Sequence, residues 1–127
     1  MPIKTVKGVI KNDEKFLVLL RSANSKFFRN LWDFPGGKLE EGEEKTAGLK
    51  REVLEETNLA ITVNLPAICE YVATENSMSM DFTIYGVEII GGEIKIDNDH
   101  QEYRWVTKDE LAELPAMPYM KSFLATQ

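Results

Sequence analysis

Six residues in one short stretch carry types and spacings that could do chemistry: Gly37, Glu43, Arg51, Glu52, Glu55 and Glu56. On a helix turning about 100° per residue, Glu52, Glu55 and Glu56 share one face in i, i+3 and i+4 relation. Three like charges so placed repel by about 1 kcal/mol per pair in water and about 3 kcal/mol at an effective dielectric of about 20. Glu55 and Glu56 also fall in the last turn, where the helix dipole favours cations. Such a concentrated breach of local rules points to a functional site. A divalent cation would turn the repulsion into ligation, and hard oxygen donors without histidine or cysteine favour Mg²⁺, or Mn²⁺, over zinc. The plain alternative is a solvated acidic helix face. At an average usage of about 6–7% per residue type, six fixed matches arise by chance about once in ten million registers. The acidic bias of the chain improves those odds by only about an order of magnitude.

The elements that must position these residues follow from local rules. After Gly42 the chain is rich in helix formers, with Glu43, Glu44 and Lys45 suited to a first turn and Asn58 to a left-handed stop. Gly48 on the same face costs about 1 kcal/mol against Ala, which suggests close packing there. Upstream, Val6 to Lys11 and Phe16 to Leu20 read as strands around an Asn12–Lys15 turn, and Ser22 to Leu31 as a loop. Downstream, Ala60 to Thr74 reads as extended with a bend at Pro66. Met80 to Gly86 reads as a strand ending in a turn at Ile89–Gly92, and Glu93 to Ile96 and Tyr103 to Val106 as short strands. Thr107 and Glu110 form a capping-box pattern for a helix ending near Pro115, and Met117 to Ala125 reads as a last helix. This order of elements gives a layered α+β or α/β class, over one domain spanning 1–127.

Composition narrows the function classes. A net charge of −6 argues against a nucleic acid polymer as partner. No apolar run is long enough to span a bilayer and no leader pattern opens the chain, so no membrane role is expected. One cysteine, Cys69, excludes an intrachain disulfide and fits a reducing, cytoplasmic setting; its apolar neighbours mark it as packing. Residues 1–38 hold eight Lys/Arg against three acids, net +5, whereas the remainder is net −11. A cationic third facing an acidic helix suits a phosphate–metal–carboxylate sandwich. Arg21 and Lys38 are the preferred phosphate contacts among basic residues that include Lys4, Lys7, Lys26 and Arg29. His100, the only histidine, reads as a surface residue.

The stretch Gly37–Leu59 resembles the Nudix box, G-x5-E-x7-R-E-U-x-E-E-x-G-U with U aliphatic, through Gly37, Glu43, Arg51, Glu52, Val53, Glu55, Glu56 and Leu59. Asn58 stands where that pattern has glycine, and Trp32-Asp33-Phe34-Pro35-Gly36 is similar to the family's lead-in. The resemblance implies an α/β/α sandwich with a mixed sheet. It implies Mg²⁺ ligation by Glu52, Glu55 and Glu56, with the Gly37 carbonyl as a further donor, and a buried Glu43–Arg51 pair holding loop to helix. Family members hydrolyse a nucleoside diphosphate linked to another group, by attack of water on phosphorus. Glu52 is the first choice for general base. Glu102 is the second, because it lies in a segment, Glu102-Tyr103-Arg104-Trp105 followed by Glu110-Leu111, resembling one from which several members send an acid to the metal.

Within the family, the short chain, hairpin and Pro115-containing tail are similar to MutT-like members, which hydrolyse nucleoside triphosphates to monophosphate and pyrophosphate. Phe34 matches a residue lining the base pocket there, with core packing as the alternative. Those enzymes clear oxidised guanine nucleotides and read the base with an asparagine after a Pro-Ala pair. Here Pro115-Ala116 is followed by Met117, which cannot make an amide contact, so the expected substrates are nucleoside triphosphates, oxidised or non-standard ones included, rather than oxidised guanine alone. The proline marking ADP-ribose enzymes is replaced by Glu75, and the coenzyme A pattern is only partly echoed by Leu19-Leu20-Arg21-Ser22. The expected partner is a small nucleotide, with the protein a monomer or homodimer. The alternatives are a hydrolase of ADP-ribose, nucleotide sugars or dinucleotides, and a non-catalytic nucleotide-sensing module.

Overall fold

The computed structural model describes residues 2–127. It contains strands β1 (Ile3–Asn12), β2 (Lys15–Arg21), β3 (Trp32–Asp33) and β4 (Gly36–Lys38), then helix α1 (Lys45–Thr57). Strands β5 (Ala60–Val63), β6 (Cys69–Glu75), β7 (Met78–Gly91) and β8 (His100–Thr107) follow, and helices α2 (Lys108–Glu113) and α3 (Met120–Leu124) close the chain.

Among the described residues the eight strands join in one mixed sheet. Its centre is β1, which runs parallel to β7 from Ile3–Met80 to Ile10–Val87 and antiparallel to β4 and, at its far end, β2. Alternation along the strands sends side chains to two cores. Val6, Ile10, Leu17, Leu19, Tyr85 and Val87 pack with Leu49 and Val53 of α1. Val9, Phe16, Val18, Phe82 and Ile84 pack on the other side with Leu111, Met120 and Phe123 of α2 and α3. The result is the expected α/β/α sandwich. None of the described helices is long and apolar enough to cross a membrane.

The β1–β2 turn places Asp13 and Glu14 at φ 49° and 65°, the two left-handed residues that a tight hairpin matched to strand twist needs. The Thr107–Glu110 capping box forms in both directions. Several local expectations are corrected. Helix α1 starts at Lys45, leaving Glu43 and Glu44 outside its first turn, because Glu43 is drawn to Arg51 instead. The Ile89–Ile90 pair lies inside β7, and α3 is a five-residue helix that begins only at Met120. Residues Glu93–Ile96 form no strand. They run along the end of α1, where Lys95 and Asp97 donate backbone N–H bonds to the Thr57 and Glu56 carbonyls at 2.9 and 3.0 Å.

Candidate active site

Helix α1 ends at Asn58, whose φ of 65° and N–H bond to the Leu54 carbonyl make it the left-handed cap that glycine would otherwise supply. Its side-chain amide also donates to the Glu93 carbonyl at 3.1 Å. The departure from the family glycine is therefore absorbed at the helix end.

Arg51 organises the acidic face. Its Nε and Nη2 donate to the two oxygens of Glu43 at 2.8 Å each, a planar fork on a carboxylate. These bonds hold the Glu43 carboxyl down at about 2 and push the Arg51 guanidinium upward. The pair lies at the edge of the protein, with Glu43 well covered and Arg51 partly open, rather than wholly buried as the family pattern implies. The Arg51 Nη1 bonds Glu52 at 3.0 Å and both oxygens of Glu55 at 3.2 Å. Gly48 is explained by the same loop, since a Cβ there would run into Leu39 and Glu43.

The three carboxylates differ in environment. Glu55 is exposed and Glu52 mostly covered. Glu56 is only 8% exposed, and its Oε1 accepts the Gly36 N–H at 3.0 Å. Burial raises the Glu52 carboxyl despite the opposing Arg51 charge, and Glu55 adds to the rise. Burial raises Glu56 much further, with the Lys7 charge and the Gly36 bond opposing, and Asp33 and Glu52 adding. Gly36, at φ 141°, lies where any side chain would strike the Val6 carbonyl, so only glycine can bring this N–H to Glu56.

Two observations bear on a metal ion. The donor set is all oxygen, which suits a hard divalent cation. Arg51 already seats a positive group between Glu52 and Glu55, so this spot accepts a cation. With Arg51 holding that pair and Gly36 holding Glu56, no three acidic, histidine or cysteine side chains converge on one point among the described residues.

A cleft of about 360 Å³ opens over the opposite face of the sheet and reaches Glu56, Gly36 and Gly37. Sequence reasoning missed the network behind its wall. Lys7 donates to Asp33 at 2.8 Å and to the Gly36 carbonyl at 3.1 Å, Arg21 donates to Asp33 at 3.2 Å, and the Tyr119 hydroxyl donates to the other Asp33 oxygen. Burial alone would raise the Asp33 carboxyl, but the Lys7 and Arg21 charges and the bonds from Lys7 and Tyr119 hold it below its ordinary value. Burial, reinforced by Asp33, lifts the Tyr119 hydroxyl well above its own. The available signal was Lys7 itself, a charged residue at an inward position of an apolar strand.

The remaining site candidates separate. Arg21 and Lys38 both line the cleft. Arg21 spends its Nε and Nη2 on the Phe27 carbonyl and so builds the wall, whereas the Lys38 amine lies over the Phe27 ring at 4.9 Å. Phe34 does not line the cleft; it is core, edge-on to Phe123 with ring centres 5.0 Å apart, and Phe28 and Phe82 face the cleft instead. Glu102 is likewise not brought to the cleft. It projects from β8 opposite Leu20, half-exposed, 3.6 Å from Arg104. The first residue of β8, His100, and Asp99 just before it line the cleft. His100 is covered rather than superficial, because its Nδ1 is held at 2.8 Å by Asp97. Met117 does reach the cleft, placed by backbone bonds of Trp32 to Pro115 and of Met117 to Trp32, each 2.9 Å. Cys69 is half-buried in β6, its thiol raised by burial, as a packing residue should be.

The family model for the NUDIX domain matches residues 1–127. A putative 8-oxo-dGTP diphosphatase 2 of Mycobacterium tuberculosis is 33% identical over 96 residues, which are 74% of this chain and 66% of that protein. A CTP pyrophosphohydrolase of Escherichia coli is 29% identical over 131 residues, covering 97% of this chain and 92% of that one. Among solved structures, a MutT protein from Methanosarcina mazei superposes with a TM-score of 0.88 at 27% identity, over 98% of this chain and 91% of the other.

Proposed function

The chain belongs to the Nudix domain family, and we propose that it is a metal-dependent hydrolase of nucleoside triphosphates, yielding monophosphate and pyrophosphate. One observation carries this reading: a single cleft joins Glu56 and the Gly36–Gly37 loop at one end to the Lys26 and Lys38 amines and the Phe28 and Phe82 rings elsewhere. That combination offers an anionic end for a cation, positive charge for phosphates and flat apolar walls for a base. The relatives above are named for hydrolysis of diphosphate bonds in nucleotides, which supports the class of reaction.

In the proposed division of labour Glu52, Glu55 and Glu56 would hold Mg²⁺, with Mn²⁺ as substitute, once Glu52 and Glu55 turn from Arg51 Nη1 to the ion, and the Gly37 backbone lies against Glu52. When bound, the ion neutralises phosphate oxygens and favours hydroxide over water. Glu52, whose carboxyl is already raised by burial, takes the proton of the attacking water. Glu43 fixes Arg51, and Arg51 aligns Glu52 and Glu55. Lys38 and Lys26 meet the phosphate chain. Attack of this water on phosphorus breaks the bridge between the α- and β-phosphates and releases monophosphate and pyrophosphate. The single cysteine fits a cytoplasmic setting for this chemistry.

The test is a screen of purified protein with Mg²⁺ against nucleoside triphosphates, ADP-ribose, dinucleotides, nucleotide sugars and coenzyme A. Turnover of triphosphates above the others is expected. Activity confined to ADP-ribose, the substrate named for a Methanocaldococcus jannaschii relative 29% identical over 119 residues, would replace the substrate choice. Activity that survives Glu55→Gln with Glu56→Gln would remove the carboxylate mechanism, and binding without any turnover would make the chain a sensing module.

A further inference from the structure

The inner wall of the cleft carries two buried polar side chains with hydrogen-bonding capacity to spare, Thr5 wholly and Lys7 by one donor. Thr5 and Lys7 lie two residues apart on β1, so both face the cleft side of the sheet. The Thr5 side chain is 4% exposed, and its Oγ1 has no hydrogen-bond partner among the described residues. Lys7 is 2% exposed and gives two bonds, to Asp33 and to the Gly36 carbonyl. An ammonium has three N–H donors, so one is left over. Around them the wall is apolar: Phe28, Met80, Phe82 and Met117, all less than a tenth exposed.

Buried polar groups are normally paired, and an orphan costs enough that it calls for an explanation. Here one orphan, the Thr5 hydroxyl, sits beside an ammonium with one N–H to spare, in a slot bounded by two aromatic rings and two thioethers. A ligand supplying the missing partners would complete the wall. Because an ammonium only donates, its partner must be an acceptor; an amino group presented at that point would oppose donor to donor. The hydroxyl can donate or accept and so takes whichever neighbouring atom the ligand offers.

We propose that Thr5 and Lys7 form the base-reading pair of this cleft and select a nucleobase whose inward edge carries a carbonyl oxygen over one carrying an amino group there. This rests on the reading of the cleft as a nucleotide site and names the determinant of its selectivity. Lys7 holds the carbonyl, Thr5 pairs with the adjacent edge atom, and the rings cover the faces of the base.

Matched nucleotides that differ by oxo against amino at one ring position provide the test: inosine against adenosine and uridine against cytidine. Binding of the four monophosphates to metal-free protein is measured by calorimetry, alongside kcat/KM for the four triphosphates with Mg²⁺. The oxo member of each pair is expected to bind at least about tenfold more tightly, and kcat/KM to follow the same order. Thr5→Val keeps the shape and deletes the hydroxyl. It should weaken binding of the oxo nucleotides about tenfold and leave Tm unchanged or higher, with Thr5→Ser restoring affinity. Lys7→Met should collapse the oxo/amino ratio towards one. Should that variant fail to fold, the Thr5 series and the wild-type ratio decide.

A wild-type ratio near one, or a preference for the amino member, overturns the proposal. So does a Thr5→Val protein that loses Tm while binding both members as before, because the hydroxyl would then serve the fold. No binding of any monophosphate also overturns it. Selective binding without hydrolysis would leave the base-reading pair standing and remove the catalytic reading instead.

Discussion

Gly37 and Glu52 touch: a Cβ built on Gly37 would come to 2.5 Å from the Glu52 Oε2 and 2.7 Å from its carboxyl carbon. The loop glycine and the proposed base are thus fitted to each other across elements fifteen residues apart. Gly37→Ala should push the carboxylate aside and lower turnover by about 10²-fold, the scale of an ångström-level misplacement. Because the crowding atoms end a flexible side chain rather than backbone, Tm should fall by only a few degrees. Steady-state kinetics beside a melting curve checks this; a large loss of Tm with kcat intact would contradict it.

Glu52 and Glu102 make opposite predictions as general base. Glu52→Gln should reduce kcat by about 10²–10⁴-fold, the usual worth of a positioned base. Glu102→Gln, on an exposed strand position facing Arg104, should stay within about threefold of wild type, as surface substitutions do. Measured kcat values for the two variants, compared at saturating substrate, decide between them.

Glu56 trades stability for function. Its carboxyl is held well above the ordinary value of 4.5 by burial. A carboxyl raised in the folded state contributes stability fully below the unfolded value and loses it as pH climbs through the folded one. Glu56→Gln, still able to accept the Gly36 N–H, should therefore gain over wild type as pH rises. In EDTA the expected advantage is roughly 3–6 °C in Tm at pH 8, shrinking towards pH 4. The same variant should be inactive with Mg²⁺.

Glu43 has the opposite sign. Its carboxyl falls from an ordinary 4.5 to about 2 under the Arg51 fork. Its contribution to stability is complete above about 4.5 and is lost as pH falls through about 2. Urea midpoints between pH 5 and pH 2 should decline less steeply for Glu43→Gln than for wild type, with the two curves meeting near pH 2. Arg51→Lys should lower the midpoint at neutral pH as well, since an ammonium cannot span Glu43, Glu52 and Glu55 together.

The acidic face was legible because it depends on sequence-local geometry: three glutamates at helical spacing share a side whatever they pack against. The capping box at Thr107, the hairpin at Asp13–Glu14 and the stop at Asn58 were legible for the same reason. The cleft was not, because its wall is built by contacts across the sheet. Lys7 meets Asp33 from 26 residues away and Tyr119 meets it from 86, and no local periodicity encodes either encounter. Family position leaves Phe34 open between base pocket and core packing; its ring packs against Tyr119 and Phe123, contacts from 85 or more residues away, and Phe82 of the same core cluster is the ring that reaches the cleft. Glu93–Ile96 has the composition of a strand, but its Lys95 amide, like that of Asp97 just beyond, bonds the end of helix α1 instead of a neighbouring strand.

That last segment ties two parts of the molecule into one mechanical unit. The amides of Lys95 and Asp97 grip the final carbonyls of α1, Asn58 grips Glu93 in return, and Asp97 also clasps His100 at the cleft's edge. Fraying of the last helical turn, which carries Glu55 and Glu56, is thereby coupled to release of the cleft rim. Amide exchange at the end of α1 and at residues 95–100 should be slow together or fast together, as a single opening event.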